Sequence, residues 1–161
     1  PCLIWSAILI LYQKIFFSAL LMVAAVMFFA FVPKDNSKNK NEEGIQFIES
    51  NWAKALQEAK KQNKLIFLDA YTSWCGPCRM LKQNTFPDKA AGEFFNKNFI
   101  NVALDMEQGD GPAVAEKYQV NAYPTLIIAD ADGNIVTYTK GYINAKQLIE
   151  FGKFGISKKA K

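Results

Sequence analysis

Leu65-Ile66-Phe67-Leu68-Asp69-Ala70 is followed four residues later by Cys75-Gly76-Pro77-Cys78-Arg79. The first run is apolar and short, as expected of a central strand covered on both faces. The second opens a segment whose residues predict a helix from Gly76 to about Gln83. Two cysteines separated by two residues, at a strand-to-helix junction, form the layout of a dithiol redox site.

The spacing has a physical rationale. Two intervening residues within one helical turn bring the sulfurs to bonding distance, so the pair can close to a disulfide with little backbone movement. A helix N-terminus offers free N–H groups and the positive end of the dipole, and both favour a thiolate at Cys75. A lowered thiol pKa raises the reactive fraction near neutral pH. Pro77 suits the first turn, where a missing N–H costs nothing. Gly76 is expected to leave Cys75 open to a partner. Cys75 is therefore read as the attacking thiolate and Cys78 as the resolving thiol.

Other uses of a Cys-x-x-Cys pair fit less well. Zinc wants four Cys or His ligands. The sequence has no histidine, and its third cysteine is Cys2, ahead of a hydrophobic segment. Covalent haem attachment needs His after the second cysteine, where Arg79 stands. A purely structural disulfide remains open, although so short a loop restrains the unfolded chain little. No metal or organic cofactor is expected, and Cys2 receives no role.

Trp74-Cys75-Gly76-Pro77-Cys78 resembles the active-site sequence of the thioredoxins, and the likeness extends from about Ile45 to Ile156. Asp69, six positions before Cys75, stands where thioredoxins keep a buried carboxylate. Tyr123-Pro124-Thr125 stands at the family's cis-proline loop, and Gly141 matches a family glycine near the active site. The longer segment containing Thr85-Phe86-Pro87-Asp88 is more similar to exported members, such as the C-terminal domain of the Dsb-type transmembrane electron transporter. The resemblance implies a thioredoxin fold: an α/β domain with a mostly parallel central sheet, an antiparallel edge hairpin and helices on both faces. It also implies that Asp69 accepts the proton of Cys78, the alternative being a strand-end Asp facing water or capping a turn. Tyr123 and Pro124 would dock an extended substrate by strand addition. Trp74, Gly76, Pro77 and Gly141 complete the expected substrate-binding set, with Trp74 covering the disulfide or, alternatively, simply packing. Thioredoxins often carry a lysine near the buried carboxylate, and the alignment sets Asn101 at that position.

The 161 residues leave room for one domain and an appendage, and the formal charge is a modest +4. Basic residues are interspersed with acids except at the Lys158-Lys159-Ala160-Lys161 tail, which reads as a solvated end, and no nucleic-acid partner is expected. Residues 3–12 and 15–32 are apolar, interrupted by Gln13 and Lys14. The second run is long enough to cross a bilayer as a helix. Residues 1–32 therefore read as a signal-anchor or a signal peptide. Phe29-Ala30-Phe31-Val32 is a poor small-x-small cleavage site, which favours the anchor. Residues 33–44 read as a polar linker and 45–161 as the thioredoxin-like domain. Either reading exports the domain to the periplasm, tethered to the inner membrane or released from it.

Within the domain, Ile45, Ile48, Trp52, Ala55, Leu56 and Ala59 recur at helical spacing and predict an amphipathic helix ending near Asn63. Trp52 is assigned to the core. Asp88 suits the N-cap of a helix over 89–96. Phe99 to Asp105 reads as a second parallel strand. Pro112 suits the start of a short helix ending at Tyr118. Thr125 to Ala129 and Ile135 to Lys140 flank an Asp-rich turn and predict a hairpin. Asn144 is expected to cap a final helix.

The function implied is reduction of disulfides in exported proteins, with electrons from a membrane thiol donor and the chain acting as a monomer. Gly-Pro between the cysteines resembles the reducing members. An oxidase or isomerase, and a thioredoxin-fold adaptor with incidental redox activity, are the alternatives.

Overall fold

The computed structural model describes residues 43–159, so the expected membrane segment, residues 1–32, lies outside the described residues. Five strands, β1 (Ile48–Glu49), β2 (Leu65–Tyr71), β3 (Phe99–Asp105), β4 (Thr125–Ala129) and β5 (Ile135–Lys140), form one sheet in the order β1-β3-β2-β4-β5. β1 and β2 both run parallel to β3, while β4 is antiparallel to β2 and to β5. The sheet is thus mixed, and the predicted hairpin joins its centre through β4. The helices are α1 (Trp52–Gln62), α2 (Gly76–Met80), α3 (Lys89–Asn98), α4 (Gly111–Tyr118) and α5 (Ala145–Lys159). Among the described residues no helix is long and apolar enough to cross a membrane.

The alternation of a strand divides the core in two. On β2, Ile66, Leu68 and Ala70 face a cluster with Trp52, Ala55 and Ala59 of α1 and Val114 of α4. Leu65 and Phe67 face the other layer, with Leu81, Phe95 of α3 and Leu148 of α5. Asp69 shares their parity, so it lies on the sheet face that carries Leu81 just beyond the cysteine helix. Phe67 is fully buried, with ring centroids 4.6 Å from Phe95 and 6.3 Å from Phe86. Helix α5 approaches this layer closely at Gly152, where a Cβ would stand 2.6 Å from the Phe94 ring.

Two sequence expectations need correction. The predicted first helix does not include Ile45 and Ile48. Ile48 lies in β1, paired with Val102, and the helix starts only at Trp52. Ser50 adopts φ 52°, and the Asn51 side chain accepts the Lys54 N–H at 2.8 Å, so the chain turns sharply before the helix begins. The helix after the cysteines is also not uniform. α2 passes at Met80 into a π-helical turn, Leu81–Thr85, which closes with Phe86 N–H donating to the Leu81 carbonyl at 2.9 Å. One wide turn drives Leu81, Thr85 and Phe86 into the core and leaves Lys82 outside. Asp88 and Asn144 cap as expected, accepting from Ala91 N–H at 2.9 Å and Gln147 N–H at 3.0 Å.

Candidate active site

β2 ends at Tyr71, and a short loop delivers Cys75 as the N-cap of α2. Cys75 and Cys78 form a disulfide, with Cα atoms 5.3 Å apart. The Cys78 N–H donates to Cys75 Sγ at 3.1 Å, so the sulfur occupies the place of a capping oxygen. That contact and the helix dipole are the geometry that favours a thiolate at Cys75 once the bond is reduced. The exposure expected at Cys75 is absent in the disulfide form, where the residue is 3% exposed. Its sulfur is bonded to Cys78 and held against the first helical turn. Gly76 itself faces open space: a Cβ there would meet nothing within 4 Å. Pro77 takes its expected place in the first turn.

Trp74 is 62% exposed, so it does not simply pack. Its indole N–H donates to Glu107 Oε1 at 3.0 Å, and its ring meets Tyr123 edge-on at 5.9 Å. This brings the site loop beside the loop before β4. There the Tyr123–Pro124 bond is cis, and Pro124 is buried. Gly141 N–H donates to the Pro124 carbonyl at 2.8 Å, with φ of +86°, a conformation that glycine adopts without penalty. Trp74, Tyr123, Pro124 and Gly141 are therefore linked around the cysteine loop. Glu107 belongs to the same surface and carried no motif in the sequence. Arg79 is exposed.

Asp69 is 0% exposed, and neither carboxylate oxygen has a hydrogen-bond partner. The strand-end alternative, a carboxylate facing water, is excluded by this burial. Desolvation pushes its pKa from 3.8 up to about 7, opposed by the charge of Lys82 and reinforced by Glu49. Burial thus favours the protonated carboxyl well above the ordinary carboxylate range. Asn101 does not stand beside it. Asn101 pairs with Phe67 in the sheet and donates to the Gln46 carbonyl at 3.2 Å and to Asn96 Oδ1 at 3.0 Å. The residue opposite Asp69 is Ala103. Lys82, from the π-helical turn, lines the same cavity as Asp69 and Ala103 and was not singled out from the sequence. Among the described residues no group of three or more His, Cys, Asp or Glu side chains gathers to hold a metal ion.

This geometry has counterparts. A thioredoxin of Echinococcus granulosus is 43% identical over 74 residues, covering 46% of this chain and 64% of its own. The match thus spans less than two thirds of that relative's length. The thiol:disulfide interchange protein DsbD of Yersinia pestis is 26% identical over 95 residues, 57% of this chain and 16% of that protein. Among solved structures, a protein from Bacteroides thetaiotaomicron described as a putative disulphide-isomerase superposes with a TM-score of 0.63 at 38% identity, covering 71% of this chain and 94% of that one. The family model of the thioredoxin-like domain matches residues 52–156, a span that holds both cysteines, the buried carboxylate and the cis-proline loop, and on that match the chain belongs to the thioredoxin-like family.

Proposed function

We propose that the chain is a thiol–disulfide oxidoreductase that reduces disulfides in exported proteins. One observation carries the reading: the Cys75–Cys78 pair caps a helix next to a cis-proline loop. In the reducing direction the Cys75 thiolate attacks a substrate disulfide, and one substrate sulfur leaves as a thiolate. Cys78 then gives its proton to Asp69 and attacks Cys75 Sγ. The second substrate sulfur leaves, and the Cys75–Cys78 disulfide forms. Two electrons pass from the dithiol to the substrate. A thiol donor in the membrane would restore the dithiol. Tyr123 and Pro124 dock the substrate backbone, while Trp74, Gly76, Pro77 and Gly141 border the approach.

The likeness to DsbD supports a domain facing the periplasm, and the apolar residues 1–32 support its tethering to the inner membrane. Gly-Pro between the cysteines supports the reducing direction. The description of the Bacteroides structure favours an isomerase as the second reading.

Equilibration of the chain in thiol/disulfide buffers separates the two. A potential near the roughly −270 mV of thioredoxin is expected; one near the roughly −180 mV of protein disulfide isomerase would favour the second reading, and one nearer the roughly −120 mV of a strong oxidant would overturn the reducing direction. Cys75→Ser should abolish insulin reduction. Cys78→Ser should accumulate a mixed disulfide visible on a non-reducing gel. A cellular role kept when both cysteines are replaced by Ser would leave an adaptor in its place.

A further inference from the structure

The cysteine helix stands at the end of β2, and the other end of the sheet has a different surface. There β2 and β3 begin side by side, with Leu65 paired to Phe99. Three helices finish around that point: α1 with Lys60 and Lys61 in its last turn, α3 with Lys97, and α5 with Lys158 and Lys159. Two contacts tie these ends together. Lys64 Nζ donates to the Asn96 carbonyl at 3.3 Å, and Lys159 Nζ donates to the Asn63 carbonyl at 3.0 Å. The acids nearby are already engaged. Asp132 pairs with Lys60 at 3.0 Å, Asp130 accepts from Asn134 within its own turn, and Glu58 accepts from Gln62. Among the described residues, Lys61, Lys64, Lys97, Lys158 and Lys159 make no ion pair. Lysines in a last turn offset the negative end of a helix dipole, which accounts for their position. It does not account for Phe154. That ring lies one turn before Lys158, is 50% exposed, and has the Lys158 ammonium 5.1 Å from its centroid. Ile156, in the same stretch, is 37% exposed. Exposed apolar side chains set among lysines suit the interface of an anionic bilayer, where a ring enters the headgroup boundary and ammonium groups meet lipid phosphates. The cysteine end, roughly 20 Å away along β2, is mixed in charge: exposed Arg79 and Lys82 stand there with Glu49 and Glu107.

We propose that this lysine pole docks on the surface of an anionic phospholipid bilayer, with Phe154 seated among the headgroups, so that the Cys75–Cys78 end points away from the lipid and stays open to substrates. The inference rests on the proposed membrane location and is independent of the direction of electron flow. The attraction is electrostatic and therefore falls with salt. Each lysine near such a surface strengthens docking about fivefold. The ring adds a contact that an acidic but water-filled surface would not reward.

The test is trace acylation of lysines in the full chain, read residue by residue by mass spectrometry. It is run on vesicles of phosphatidylcholine alone and of phosphatidylcholine mixed with phosphatidylglycerol. Lys61, Lys97 and Lys158 should react about fivefold more slowly, or slower still, on the anionic vesicles. Lys54, Lys89 and Lys146, near the starts of the same three helices, should not change. Raising NaCl to about 0.5 M should erase the difference. Lys158→Gln should reduce the protection of Lys61 and Lys97 about fivefold, and Phe154→Ser should weaken it as well. Equal rates on the two vesicles would overturn the inference, as would equal protection of both helix ends. Protection by soluble poly-glutamate that matches the anionic vesicles and survives Phe154→Ser would make the partner an acidic protein and overturn the lipid assignment. Retention on phosphatidylcholine alone reports the tether separately. A chain that leaves those vesicles yet is protected on the anionic ones would overturn the tether reading and support the pole.

Discussion

Asp69 is the residue where stability and chemistry conflict. Below its ordinary pKa of 3.8, folded and unfolded chains both hold the proton, and the group has no effect. Between 3.8 and about 7 the unfolded chain has released the proton while the folded chain keeps it, so stability falls as pH rises. Above about 7 the loss is complete, on the order of 4 kcal/mol for a shift of this size. Asp69→Asn should therefore unfold at higher urea than wild type at pH 8 and at nearly the same urea at pH 4, while reducing insulin more slowly at pH 7. Equal midpoints at both pH values would show that burial does not burden the carboxylate. The spacing of Asp69 to Cys75 was legible in the sequence. Its electrostatic partners were not. A strand slip of two residues preserves which face a side chain occupies, so periodicity cannot tell Asn101 from Ala103. The pairing of β2 with β3 does.

Elements were legible where a cap or a turn residue marks an end. Asp88, Asn144, Pro112 and the Asp130–Gly133 turn each act locally, through a side chain or a fixed φ. The start of α1 was misread because Ile48 falls by coincidence at a helical interval from Trp52, and only its pairing with Val102 makes it a strand. The π-helical turn has no sequence marker either. It forms because Leu81 and Phe86 reach one core while Thr85 Oγ1 donates to the Ile143 carbonyl at 2.8 Å. At the end of β5, Gly141 combines a φ of +86° with open space around its missing Cβ. Gly141→Ala should thus lose roughly 1–2 kcal/mol through backbone strain alone. It should also weaken substrate turnover, because relief of that strain would move the N–H from which the Pro124 carbonyl accepts. Denaturant unfolding together with insulin reduction checks both, and an unchanged midpoint would rule out the strain argument.

Across the described residues, one sheet separates two cores, and the site sits where the loops following β2 and preceding β4 meet. Phe67 fastens the layer that holds Leu81, and through it the turn bearing Lys82. Phe67→Ala should cost about 3–5 kcal/mol, the range for truncating a buried aromatic ring. If the layer positions the site, the variant should also show a shifted redox potential at denaturant concentrations where it is still folded. A large loss of stability with an unmoved potential would show that the cysteine helix holds its geometry independently. Sequence alone determined the dithiol, its N-terminal placement on a helix, the alternation of strands and helices, and the caps. These depend on residues near one another in the chain, where spacing and side-chain chemistry are sufficient. Tertiary structure alone decided the burial of Cys75, the cavity behind Asp69 and the pairing of Asp69 with Ala103. It also decided the approach of Lys82, Glu49 and Glu107, because those depend on strand register and on which side chains distant segments bring to one point.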